Sequence, residues 1–179
     1  MKTLVLAVTF AVAAVSANGQ VPGIPLPELT NLEEFSSRSG TLIQREFTRV
    51  GEFSNPYRVD VVKVTDLVSK QSIQGVRISA NVGAGAARES AFLDSEELSN
   101  LISAIVLMKA SISTTVPDTF TDLAFRSRGG IEVGAFYANR RWNIYVRIDR
   151  FDPKTSVNLD QNELDSLRDL LTQAKERIK

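Results

Sequence analysis

The sequence predicts an α+β fold built as two pseudo-symmetric β-β-β-β-α repeats, two antiparallel sheets each with a helix packed on one face. Three observations carry that expectation. "LDSEEL" at 93–98 is echoed by "LDQNEL" at 159–164, so Asp94 and Asp160 stand 66 positions apart. At the same spacing Glu97 falls on Glu163, Leu98 on Leu164, Leu101 on Leu167 and Ile105 on Leu171. Without a gap, "VRISANV" at 76–82 also meets "WNIYVRI" at 142–148, each alternating apolar with polar residues. Self-similarity at a fixed period marks a repeated structural unit, and period-two alternation marks a strand with one buried face.

Taken in order, the first residues are a leader. Lys2 precedes an apolar run from Leu4 to Val15, and Val15-Ser16-Ala17 offers small side chains for a peptidase. That pattern predicts a secretory signal at 1–17, cleaved near Ala17. The run is too short for a membrane span, which needs roughly 20 residues, and no later stretch supplies one. The expected location is therefore exported, periplasmic or secreted. Residues 18–40 follow as a Pro/Gly-rich arm, "NGQVPGIPLP", and a short helix ending near Gly40.

Residues 41–179 form one expected α+β domain of two repeats, 41–110 and 118–179. Alternation places strands near Leu42–Val50, Tyr57–Leu67 and Ile73–Val82, then Phe120–Arg126, Ile131–Tyr137 and Trp142–Ile148. "SRGG" and "ANRR" supply turn residues between the last three. A short strand leads into each helix, around Ala91–Leu93 and Thr155–Leu159. Each Asp of LD-x-x-EL suits a helix N-cap, accepting from N–H groups that have no partner inside the helix. The Glu three positions on can reach back to the cap's own N–H. The later helix carries one apolar stripe, Leu164, Leu167, Leu171, Ala174 and Ile178, and should cover a sheet while facing water. The earlier one is apolar over most of its circumference, from Leu98 to Met108. It is either an internal helix of a pseudo-symmetric domain or part of a homodimer interface.

Composition narrows the chemistry. With no histidine and no cysteine, the chain lacks the parts for Ser-His-Asp or Cys-His nucleophiles and for zinc held by imidazole or thiolate. It also has no disulfide, and no cysteine for lipid attachment. Loss of Lys2 with the leader leaves a net charge of −1 from a chain balanced at 21 basic and 21 acidic residues. A neutral protein does not attract phosphate polymers in bulk.

"NVGAGAARES" at 81–90 has the outline of a dinucleotide turn, yet Arg88 takes the third glycine position and the helix begins only near Asp94. The matching loop of the second repeat has no glycine, so a hairpin loop is expected. "NLDQNELD" at 158–165 alternates oxygen ligands but lacks the turn glycine of a calcium loop. No cofactor, metal or catalytic residue is expected.

The candidate binding residues lie in the second repeat. Arg126, Arg128, Arg140, Arg141, Arg147 and Arg150 cluster among its strands, and Tyr145 shares the outward face of its strand with Asn143 and Arg147. Tyr145, Arg147, Asn143, Arg126 and Arg128 are the nominated contact residues. Arg and aromatic groups on an open sheet carry stacked bases, sugars or an acidic partner; alternatively the arginines pair with Asp122, Glu132, Asp149 and Asp152. In outline a duplicated β4α unit resembles the Whirly and Pur families of single-strand nucleic-acid binders, a likeness of topology that implies a strand-binding sheet.

The expected function is thus an exported, non-catalytic binding or assembly domain for a protein or polymer ligand. Its alternatives are a single-stranded nucleic-acid binder and a carboxylate-dependent hydrolase of an extracellular polymer.

Overall fold

A computed structural model describes residues 28–54, 57–81, 88–150 and 152–178. The leader, the arm at 18–27 and the glycine-rich loop lie outside them. Strands β1 (Ile43–Phe53), β2 (Tyr57–Asp66), β3 (Ser72–Asn81) and β4 (Arg88–Asp94) form one antiparallel sheet in chain order. A second follows with the same order: β5 (Thr121–Arg126), β6 (Glu132–Ala138), β7 (Arg141–Arg147) and β8 (Ser156–Leu159). Helix α1 (Asn31–Ser36) precedes the first sheet, while α2 (Ser95–Thr114) and α3 (Gln161–Arg177) leave directly from β4 and β8. This is the β4α unit twice over. The two-residue turn between β6 and β7 uses Asn139 and Arg140, both at positive φ, as a right-twisted hairpin requires.

Each helix reaches beyond its own sheet. Helix α3 touches its own β8 but lies chiefly across β1 and β2, and α2 bridges β3 and β4 to β5 and β6. Leu170 of α3 sits against Gly51, where a Cβ would collide with it. Lys109 and Asp165 join the two helices by an ion pair. One continuous core results, running from Val59, Ile78 and Leu93 through Leu101 and Ile105 to Val133, Val146, Leu167 and Leu171. The Tyr57 hydroxyl donates to the Thr155 carbonyl at 2.8 Å, a buried tie between the halves. The apolar excess on α2 is only partly used: Val106 and Leu107 remain 50% and 69% exposed. Among the described residues no helix is long and apolar enough to cross a membrane.

The pairing register revises the match between repeats. Val76 lies opposite Leu93, just before Asp94, whereas Ile144 lies opposite Leu159, just before Asp160. Val76 therefore corresponds to Ile144, not to Trp142, and β7 has slipped two residues against the gap-free alignment. A slip of one pleat keeps every side chain on its face, so alternation alone cannot detect it. Trp142 is instead half-buried, its Nε1 donating to the Thr115 carbonyl at 3.0 Å.

The capping expectation holds for one helix and fails for the other. Asp160 accepts from Glu163 N at 2.8 Å and Glu163 returns the bond to Asp160 N at 2.8 Å, a full capping box. Asp94 makes no side-chain cap to α2. Its carboxylate instead receives Asn31 N at 2.8 Å and Leu32 N at 3.1 Å, the orphan donors of α1. The Arg128 guanidinium completes its shell at 2.8 Å. The cause is the docking of α1, whose Leu32 and Phe35 cover Val62 and Val64 on the face of the first sheet opposite the main core. That brings a helix N-terminus within reach of the carboxylate.

Candidate functional site

Among the described residues no helix covers the face of the second sheet equivalent to the one beneath α1. Alternation and register lay its outward residues in three cross-strand rows. Arg126, Glu132, Arg147 and Ser156 form the first; Ala124, Gly134, Tyr145 and Asn158 the second; Asp122, Phe136 and Asn143 the third. Outward residues would ordinarily be solvated, but here Glu132 of the first row and Tyr145 of the second are buried against the sheet.

Gly134 is the reason. Its missing side chain leaves room for the ring of Tyr145, and a Cβ built there would stand 2.6 Å from both Tyr145 Cζ and Oη. The tyrosine consequently lies flat, only 6% exposed, and its hydroxyl donates to Glu132 Oε1 at 2.8 Å. Burial, and then the hydrogen bond to Glu132, push its phenol well above the ordinary tyrosine range. Glu132, itself buried, accepts from Arg126 Nε on its other oxygen at 2.6 Å and has Arg147 Nη1 at 3.7 Å. Its carboxylate, hydrogen-bonded to Arg126, raises the Arg126 pKa. Arg147 also donates to the Arg150 carbonyl at 3.3 Å, while its Nε is buried without an acceptor. A buried donor left unpaired is costly.

Around this floor stand apolar and polar rims. Phe136 lies tilted 6.1 Å from Tyr145 and stacks 6.3 Å from Phe120, which is 71% exposed. Exposed Asp122 and Asn158 and the half-buried Ser156 supply hydrogen-bonding groups. They enclose a shallow depression of about 340 Å³. It meets a second depression of about 780 Å³ at Phe120 and a third of about 550 Å³ at Asn158. The second is lined by Val116–Phe120 and the β6–β7 turn, and the third by the start of β7 and the start of α3.

The nominated residues divide accordingly. Tyr145, Arg147, Asn143 and Arg126 share this face. Tyr145 forms floor instead of an upright stacking platform, which corrects the expectation of an exposed aromatic. Asn143 turns back on the sheet, its Nδ2 donating to the Arg141 carbonyl at 3.2 Å. Arg128 is elsewhere, clamping the β5–β6 turn to the start of α2 through Asp94 at 2.8 Å, Glu96 at 2.5 Å and Glu97 at 3.6 Å. The expected pairing of arginine with Glu132 is present. Phe136, Ser156 and Asn158 were missed, although the alternation of their strands already put them on the outward face. The glycine-rich 82–87 segment lies outside the described residues, but Arg88, at the third glycine position of the motif, opens β4 instead of a helix.

The first sheet offers a poorer surface. Beyond α1 its outer face is closed by Asp60, buried and held by Arg58 at 3.2 Å and Arg77 at 2.7 Å, with Arg77 stacked 4.0 Å over Phe47. No protein-family model matches this chain, and a search of curated proteins returns no match.

Proposed function

We propose that the chain is a non-catalytic binding domain whose contact surface is the outer face of β5–β8, and that its ligand is an uncharged glycan. In keeping with the leader, it works outside the cytoplasm. The observation that carries this reading is the inequality of the two sheets. One outer face is filled by α1, while among the described residues its counterpart is left open over an aromatic and ionic floor.

The chemistry of that face favours sugar. Phe120 and Phe136 offer apolar faces, and Asp122, Asn158 and Ser156 offer both donors and acceptors at the rim. Ligand sites combine apolar contact with a few placed polar groups in this way. Two arginines are balanced by Glu132 and Asp122, so the face carries little net charge. Affinity for nucleic acid comes mainly from Lys and Arg neutralising phosphates, and these arginines are engaged with carboxylate. Glycoside hydrolysis uses two carboxylates flanking the scissile bond. Both oxygens of Glu132 already accept from the protein, which leaves Asp122 without a free second carboxylate on this face among the described residues.

Isothermal titration of the mature chain with cellohexaose and chitohexaose tests the reading. At least one should bind, and Phe136→Ala should weaken it about tenfold or more, the loss of roughly 1.4 kcal/mol of contact. Salt should change the affinity little. No binding of either sugar, together with salt-sensitive binding of a single-stranded oligonucleotide, would replace this reading by the nucleic-acid one.

A further inference from the structure

We propose that β5 is a homodimer seam, at which a second copy of this chain adds its own β5 antiparallel about a two-fold axis through Ala124. The two sheets then join into one of eight strands. This inference stands whether or not the outer face binds sugar.

Edge strands expose unpaired backbone groups, and proteins usually protect them with bulges, charges, shortness or a covering element. Three of the four edges here are protected in that way. Strand β1 has a bulge between Arg49 and Gly51 and carries Arg45, Glu46, Arg49 and Glu52. Strand β8 has four residues, and β4 lies against α1. Strand β5, "TDLAFR", has neither bulge nor proline and is six residues long. Its two charges, Asp122 and Arg126, are of opposite sign, and among the described residues it is the edge with neither bulge, cover nor shortening.

Its sequence is self-complementary. A two-fold interface pairs residue i with residue j and j with i. With Ala124 opposite its own copy, Asp122 faces Arg126 twice on the outer side, and Leu123 faces Phe125 twice on the inner side. Opposite charges and apolar pairs directly across strands each stabilise pairing, whereas like charges destabilise it. Other registers that keep inner with inner do worse. A shift by one pleat puts one charge opposite Ala124 and carries the other past the end of the partner strand. A shift by two sets Asp122 against Asp122, or Arg126 against Arg126. Arg126 gives only its Nε to Glu132, which leaves its remaining N–H groups for the partner's Asp122.

The inner side supplies the apolar area that a strand alone would lack. A groove of about 260 Å³ runs between α2 and β5, lined by Leu107 and Met108 on one wall and Leu123 and Phe125 on the other. Leu107, 69% exposed at its rim, and the groove of the second copy would close against each other across the axis. The spare apolar residues on α2 thereby gain a role.

The natural absence of cysteine makes the test clean. Ala124→Cys places one thiol on the proposed axis, with Cα atoms about 4.5–5.5 Å apart, inside the range a disulfide spans. Mild oxidation should convert it almost fully to a linked dimer, while Ser166→Cys on the exposed face of α3 should stay monomeric on the same gel. Light scattering of the unmodified chain should give twice the monomer mass, falling on dilution. Leu107→Lys with Asp122→Arg should weaken association about tenfold or more while keeping the far-UV spectrum. Mixing Asp122→Arg with Arg126→Asp should restore a heterodimer, since each then meets its opposite charge. An unmodified chain that stays monomeric at high concentration would overturn the proposal. So would Ala124→Cys linking no faster than Ser166→Cys, or a dimer indifferent to Leu107→Lys with Asp122→Arg.

Discussion

Gly134→Ala is the sharpest probe of the site, because a single methyl group should unseat its floor. The added carbon would stand 2.6 Å from the Tyr145 ring and 2.8 Å from the Leu123 carbonyl oxygen, well inside van der Waals contact. The backbone is held by ladders on both sides, so the tyrosine must move. Overpacking of this kind costs about 1–3 kcal/mol. Lifting the ring also breaks its 2.8 Å hydrogen bond to Glu132, and a bond to a charged partner contributes about 1.5–3 kcal/mol. The sum is about 2.5–6 kcal/mol, a fall in melting temperature on the order of 5–24 °C for a domain this size. Thermal unfolding followed by circular dichroism reads it, and a double-mutant cycle isolates the cause. In a Tyr145→Ala background only the 2.8 Å contact with the Leu123 carbonyl remains, so the same change should cost less by at least the lost hydrogen bond, a coupling of about 1.5 kcal/mol or more. Equal cost in both backgrounds would show that Tyr145 does not lie over Gly134.

Two further perturbations test the frame. Asp66 accepts from the Thr41 hydroxyl and from the backbone of Ser69 and Val68, which together hold its pKa down to about 2 against burial. Its folded value lies below its unfolded one, so the stability it contributes is present above about pH 4 and is lost as pH falls toward 2. Thr41→Val should raise the Asp66 pKa measured by carboxyl NMR and move acid unfolding to higher pH; an unchanged titration would refute the assignment. Asp160→Ala should cost about 0.5–2 kcal/mol as the loss of an ordinary cap. Asp94→Ala should cost more and should release amide exchange at Asn31 and Leu32 while sparing the first turn of α2. Protection lost at the start of α2 instead would restore the symmetric capping scheme.

What the sequence showed plainly was mechanical: alternation, turn residues and the doubled LD-x-x-EL located eight strands and the two long helices. What it concealed was long-range. Asp94 and Asp160 look identical in their local sequence, and only a helix more than 60 residues upstream diverts one of them. Tyr145 is outward by parity, yet it lies down because Gly134 is opposite it in the register, a fact that no single-strand pattern contains. Trp142 was matched with Val76 because a slip of a whole pleat leaves the alternation intact. Arg128 read as part of a surface cluster until the turn that carries it was seen to fold back on Asp94, Glu96 and Glu97. Phe136 and Asn158, by contrast, could have been nominated from parity alone.

The central claim is that α1 closes one of two equivalent sheet faces and leaves the other for the ligand. Backbone amide shifts recorded while cellohexaose or chitohexaose is added test it directly. The account predicts changes at Glu132–Phe136, Asn143–Arg147 and Ser156–Asn158, with Leu32, Val62 and Val64 unmoved. Changes centred on α1 and the first sheet, or none at millimolar sugar, would contradict it.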